Sequence, residues 1–210
     1  MADDAAGSHQ SFPGMPHFDP RGRAVMVDVG GKPETERVAA ARGSISLSAE
    51  AFARVAAGTA AKGDVLGVAR IAGIGGAKRT SDLIPLCHPL LVGSVAINFD
   101  IRDDWVEVES QVDTVDRTGV EMEALTACAV AALTIYDMCK SADRSMVVGE
   151  LALWEKTGGR SGVWRRPAGS IGEPLVNTPH PVAGGAGDDG LDARIDDILA
   201  EGADDVDRDA

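Results

Sequence analysis

Residues 94–113 constrain the fold most. "SVAINFDIR" places Val95, Ile97, Phe99 and Ile101 on one side of an extended segment. "WVEVESQVD" returns with Val106, Val108 and Val112 alternating against Glu107, Glu109, Gln111 and Asp113, and Asp103-Asp104 can make the turn between them. Period-two alternation in two adjacent segments means antiparallel strands with one covered face and one wet face. Something apolar must lie on the covered face. "GVEMEALTACAVAALTIYDMCKSA" (119–142) is suited to it, being rich in Ala and nearly apolar through its middle, as buried helices are.

The flanking segments complete a pattern. "AVMVDVG" (24–30) reads as a short strand or a lead-in, and "KPETERVAAARG" (32–43) as a connector with weak helical character. "GSISLS" (43–48) alternates as a strand does. Ser48 can cap the helix "AEAFARVAAGTAA", and Asp64 can cap a second one, "VLGVARIAGIGGAKRTSDL". In that second helix Ala69, Gly73 and Ala77 form a small-residue face for close packing; its "GIGG" does not complete a dinucleotide-binding loop, because Lys78 takes the last glycine position. "SMVVGELALWEK" (145–156) reads as the final strand. The order β, two helices, β, β, α, β predicts an α+β, ferredoxin-like split βαββαβ fold with an enlarged first crossover: a four-stranded antiparallel sheet with helices packed on one face. The domain is expected over residues 23–166. Residues 1–22 read as a flexible arm. Residues 167–210 read as an acidic, mostly disordered tail; near 191–200 Leu191, Ile195, Ile198 and Leu199 fall on one side, as in a short amphipathic helix that docks or in one that forms only transiently in a solvated tail.

Charge narrows the partners. The net charge is −13, and the segment from 167 to 210, with 11 acidic and 2 basic side chains, carries −9 of it. The body is only mildly acidic and shows no basic stripe, which argues against nucleic acid. No apolar run has the length of a membrane span, and the acidic, polar start is unlike a secretory signal. A cytoplasmic protein with three free thiols is the expectation.

Three groups of residues can carry chemistry. In "LIPLCHPL" (83–90) Cys87 and His88 are adjacent between Pro85 and Pro89. Adjacent side chains point apart in extended chain, which disfavours both a shared metal and a nucleophile pair. Two readings stay open: Cys87 packs as a small hydrophobe while His88 holds a loop, or the prolines stiffen a loop that presents His88 to a ligand. On the long helix, Glu121 and Glu123 suit the N-terminal dipole. Asp137 and Lys140 share a face three residues apart, as a surface ion pair or as an acid–base unit. The apolar flanks "LTIY" and "MC" predict a partly buried Asp137. Glu123 and Asp137 are separated by roughly 21 Å along the axis, too far to meet on one small group within one chain. The remaining cations are Lys62 in "KGD", Lys78, Arg79, and Lys156 and Arg160 in "KTGGRSG"; if they converge with Lys140 they would bind phosphates.

"KGDVLGVARIAGIGGAKRTSDLIPLCHPL", "TGVEMEALTA" and "ALTIYDMCK", with "MVDVG" and "GGRSG" at the ends, resemble the signature blocks of the cyclic pyranopterin monophosphate synthase family, protein C of molybdenum cofactor biosynthesis. The resemblance covers roughly residues 24–165. It implies a lyase that converts 3′,8-cyclo-7,8-dihydro-GTP, the product of a partner radical enzyme, into cyclic pyranopterin monophosphate and pyrophosphate. It implies a homo-hexamer, a trimer of dimers with active sites at the dimer interfaces. It implies no redox step and no organic cofactor, with magnesium beside the phosphates left open. Asp137 matches the catalytic position, and Lys140 and Lys62 the essential lysines. Leu86, Cys87 and His88 match one substrate-contacting stretch, and Met122 and Glu123 the other. Lys156 and Arg37 match as phosphate contacts. On this resemblance His88 is a rigid donor to substrate and Cys87 a wall of the pocket. The rivals are a non-catalytic nucleotide-binding module and a Cys–His metal hydrolase.

Overall fold

The computed structural model describes residues 17–167, apart from 18, 20, 59, 61, 103 and 104. The Asp103-Asp104 turn, most of the 1–22 arm, and the tail with its helix near 191–200 lie outside the described residues.

The elements in chain order are β1 (Thr35–Ser46), α1 (Ala49–Ala56), α2 (Val65–Ala77), α3 (Thr80–Leu83), β2 (Ser94–Ile101), β3 (Trp105–Asp116), α4 (Glu121–Cys139), β4 (Val147–Thr157) and β5 (Trp164–Arg165). They form one five-stranded sheet in the order β2-β3-β1-β4-β5, with every neighbouring pair antiparallel. The β2–β3 hairpin has the expected alternation: Val106, Val108 and Val112 are fully buried, facing α4. The alternation carries Ser110 to the same face, and its hydroxyl donates to the Ala124 carbonyl at 2.7 Å, so a buried polar group is satisfied while it ties β3 to α4.

Two expectations change. The sheet has five strands rather than four, because Gly158, Gly159 and Gly162, all at positive φ, fold the chain back so that Trp164 pairs with Lys156 and Arg165 with Glu155. Residues 35–43 are not a connector of helical character but most of β1, the central strand. Alanine favours helix in isolation. Here Ala39, Ala40 and Ala41 are almost wholly buried between β3 and β4, and on the helix face the small side chains of Ala39 and Ala41 let α4 lie close. A Cβ on Gly43 would stand 3.2 Å from Cys128 Sγ of α4, which shows how close. Residues 24–30 form a lead-in, with a single bridge at Ala24.

Helix boundaries follow their caps. Ser48 Oγ accepts from Ala51 N at the start of α1, and Asp64 from Gly67 N at the start of α2. The expected second helix splits at Lys78–Arg79, and the buried Thr80 hydroxyl donates to the Ala77 carbonyl at 2.9 Å. α4 is long and apolar enough by length and composition to cross a membrane, yet it lies against β1, β3 and β4 as the core helix.

The small-residue face of α2 meets α4. A Cβ on Gly73 would collide with Ile97 Cδ1 and stand 2.9 Å from the Ala127 carbonyl oxygen. A backbone oxygen cannot step aside as a side chain can. Gly73→Val should therefore destabilise the fold by about 1–3 kcal/mol, read as a lower urea midpoint at unchanged slope. At the outer edge of the sheet, Arg70 of α2 donates from Nε to the Ile97 carbonyl of β2 at 3.0 Å.

Candidate active site

The chemistry-bearing residues gather at the two ends of α4. At its C-terminal end, the helix puts Asp137 and Lys140 one turn apart, and Lys140 Nζ lies 2.5 Å from Asp137 Oδ1. Lys62 arrives from the turn before α2, shaped by Gly63 at φ +90° and the Asp64 cap. Its ammonium lies 3.0 Å from Asp137 Oδ2 and donates to the Asp137 carbonyl at 2.9 Å. A carboxylate at a helix C-terminus faces the negative end of the dipole. Two ammonium groups offset that, one of them also capping a terminal carbonyl.

Lys140 first and Lys62 second, by hydrogen bond and then by charge, hold the Asp137 carboxyl down at about 2. Being depressed, this group keeps its ion pairs in full above the ordinary carboxylate value and loses them as pH falls through about 2. The expected partial burial of Asp137 is not found. Its side chain is 57% exposed, because 137 falls off the buried side of α4 that faces the sheet. The trio is open, and an anionic ligand can compete for both lysines.

At the N-terminal end of α4 stand the residues of the Pro-Cys-His segment. Cys87 Sγ donates to Glu123 Oε1 at 3.5 Å. Glu123 is 2% exposed, and its Oε2 is buried with no hydrogen-bond partner. Burial raises the Glu123 carboxyl above its usual range. Burial first, then the Glu123 charge, pushes the Cys87 thiol up to about 11. Such a thiol is a poor nucleophile at neutral pH. His88 turns the other way, and its Nε2 donates to the Val27 carbonyl at 2.8 Å. The adjacent Cys and His thus serve different partners. Leu86 is half-buried and Met122 is 37% exposed.

Arg37 and Lys156 lie at this same end. Arg37 donates from Nε to Asp116 O at 2.8 Å and from Nη2 to Arg117 O at 3.1 Å, on the connection from β3 into α4. Lys156 bonds the Ser161 hydroxyl across the glycine turn. The cations therefore do not all converge: Lys62 joins Lys140, whereas Lys156 and Arg37 lie toward the Glu123 end of α4, which is roughly 21 Å from Asp137 along the axis.

Residues 26–159 match the MoaC family. The chain belongs to the MoaC family. A MoaC-type relative, the cyclic pyranopterin monophosphate synthase of Thermomicrobium roseum, is 60% identical over 156 residues, which is 72% of this chain and 93% of the relative. The MoaC span takes in both ends of α4, and it starts at Met26, just before the Val27 carbonyl that holds His88.

Sequence reasoning passed over two residues of this site. Ser161 is the partner of Lys156. Asp143 follows the last turn of α4, and its carboxylate accepts from the backbone of Ser48 and from Ser145. The D-x-S spacing of Asp143 and Ser145, an Asx-turn signature, was the available signal. Among the described residues no group of three or more His, Cys, Asp or Glu side chains stands together as a metal-binding cluster.

Proposed function

We propose that this chain is a cyclic pyranopterin monophosphate synthase, a lyase of molybdenum cofactor biosynthesis. It acts in the cytoplasm on 3′,8-cyclo-7,8-dihydro-GTP and releases pyrophosphate. The observation that carries this reading is the exposed Lys62–Asp137–Lys140 trio, set at the end of α4 inside the matched family span. Ring opening and pterin closure need a base and an acid. Asp137, held ionised, is the proton acceptor, and the Lys140 ammonium returns a proton. Lys62 offsets phosphate charge as the cyclic phosphate closes and pyrophosphate leaves. When the substrate's phosphates draw Lys62 and Lys140 toward themselves, Asp137 loses the contacts that depress it and becomes a better base.

The fold reads as ferredoxin-like, supported by the order β2-β3-β1-β4 of the first four strands, with β5 added at one edge. The working unit is a homo-oligomer, a hexamer built as a trimer of dimers. Two features support pairing of copies. First, chemistry-bearing residues stand at both ends of α4, too far apart to meet on one small substrate within one chain. Second, from Ala124 to Tyr136 the helix has no charged residue, though its outer side shows Met122 at 37% and Leu133 at 59% exposure. A helix face meant for water carries charge. A twofold axis across this face would run two α4 helices antiparallel. It would set the Glu121–Glu123 end of one copy against the Lys62–Lys140 end of the other, acidic against basic. His88 and Met122 from one copy, beside the buried Glu123, would then meet Asp137 of the other around one substrate.

No organic cofactor enters this scheme. Without substrate both oxygens of the Asp137 carboxylate are taken by ammonium groups, so magnesium, where it takes part, would arrive with the phosphates.

The test is turnover. Purified chain mixed with the cyclised GTP intermediate should release pyrophosphate and the pterin product together, and Cys87→Ser should retain most of the rate. Binding of the intermediate without release would make this a nucleotide-binding relative. Loss of the rate in Cys87→Ser would return the thiol to the chemistry.

A further inference from the structure

The trio is assembled from two separate stretches of chain. Asp137 and Lys140 ride on α4. Lys62 follows α1, and α1 has little to hold it. Of its residues Ala51 and Val55 are buried, and α1 lies beside Met138, Cys139 and Ala142 across a narrow cleft. One polar anchor fixes its start. Asp143, 7% exposed, has its own N–H on the Cys139 carbonyl at 3.1 Å, so it extends the last turn of α4. Its Oδ2 accepts from the Ser48 N–H at 2.6 Å, and Ser48 is the cap of α1. Its Oδ1 accepts from Ser145 N at 2.8 Å and Ser145 Oγ at 2.6 Å, on the way into β4.

We propose that Asp143 is a positioning residue for the reaction: it pins the start of α1 to the end of α4 and thereby sets Lys62 on Asp137. This rests on the synthase reading of the trio. The two ends of the α1 segment are tied to neighbouring turns of one helix. Ser48 is held by Asp143 at the near end, and Lys62 holds Asp137 at the far end. One carboxylate thus joins α4, α1 and β4. Three N–H and O–H groups point at it, and the Ser145 hydroxyl above all lowers its pKa, while burial opposes. It is a charged clamp, and a neutral side chain has fewer acceptor sites for the same three donors. Asp143 touches neither the trio nor the position of the substrate, so it acts through Lys62.

The full chain carrying Asp143→Ala, Asp143→Asn or Ser145→Ala would be measured in three ways: the carboxylate titration of Asp137 by NMR without substrate, turnover per folded molecule, and the urea midpoint. Asp143→Ala removes all three bonds. Asp137 should then titrate upward from about 2, toward the ordinary value of about 3.9, as Lys62 withdraws. Turnover should fall roughly 100-fold, the scale of a displacement near 1 Å. Asp143→Asn keeps one carbonyl oxygen for the Ser48 amide and should fall between. Ser145→Ala spares the Ser48 anchor and should leave the Asp137 titration where it is.

A lower urea midpoint in Asp143→Ala, with Asp137 titration and turnover both as in the wild type, would make Asp143 a stabilising residue only and overturn the proposal. If Asp143→Ala does not fold, Asp143→Asn decides, and an unmoved Asp137 titration there overturns it equally. Since the titration needs no substrate, an inactive wild type would sink the proposed function and leave the clamp to be judged by this readout.

Discussion

Asp137→Asn should lower turnover of the cyclised GTP intermediate by roughly 10³–10⁴-fold while the chain stays folded. The size follows from losing a positioned acid–base group, for which 10²–10⁴-fold is typical, together with two charge-assisted contacts that hold Lys62 and Lys140. The amide is isosteric but cannot take a proton, and it leaves two ammonium groups without their counter-charge. Stability should change little, since the side chain is 57% exposed and surface ion pairs contribute little. Substrate affinity separates the roles further. With the carboxylate neutralised, two free lysines face the phosphates, so the intermediate should bind at least as tightly as to the wild type. A variant with wild-type turnover would remove Asp137 from the chemistry, and one with tenfold weaker binding and unchanged turnover would make it a binding group.

Mixed oligomers should recover activity that neither parent has. Asp137→Asn spoils the C-terminal half-site and His88→Ala the N-terminal one. Each variant alone should be nearly inactive, because every site then contains the defect. In a twofold pair of one copy each, one site collects both defects and the other collects none. Random assortment makes half of the pairs mixed, so co-expressed variants should regain about a quarter of the wild-type rate. Recovery at that level would locate each site between chains and fix which end of α4 each chain contributes. No recovery, with mixed oligomers verified by mass, would mean that the two ends of α4 serve different sites, and the shared-site proposal would fail.

The parts of the fold legible in the sequence were those governed by local rules. The alternation of Val106, Val108 and Val112, the caps at Ser48 and Asp64, and the glycine face of α2 each state their own structure. The alanine run of β1 did not, because alanine by itself favours helix and becomes central strand only when β3 and β4 take their places on either side. β5 was invisible, since a two-residue strand exists only by pairing. The site divides in the same way. Asp137 and Lys140 announce themselves by spacing within one helix. Lys62 is 75 residues from Asp137 in the chain, and the Cys87–Glu123 contact spans 36, so no local pattern could show either. The family resemblance supplied those positions. The exposure of Asp137 was misjudged because its apolar neighbours were read as burial, when part of that apolar surface faces outward.

The two borders of the sheet bear on how copies of this chain can add to one another. β5 is only two residues long and closely followed by Arg166, while on β2 the Ile97 carbonyl is already occupied by Arg70. At these two points a further strand would find a short stretch to pair with or an acceptor already engaged. Strand-by-strand addition would have no natural stopping point and would grow into filaments. With that route blunted, the uncharged side of α4 is the better place for copies to meet, and contact through it about a twofold axis is self-limiting. By taking the Ile97 and Leu153 carbonyls, Arg70 and Arg166 thus each remove a backbone acceptor that open-ended strand addition would use.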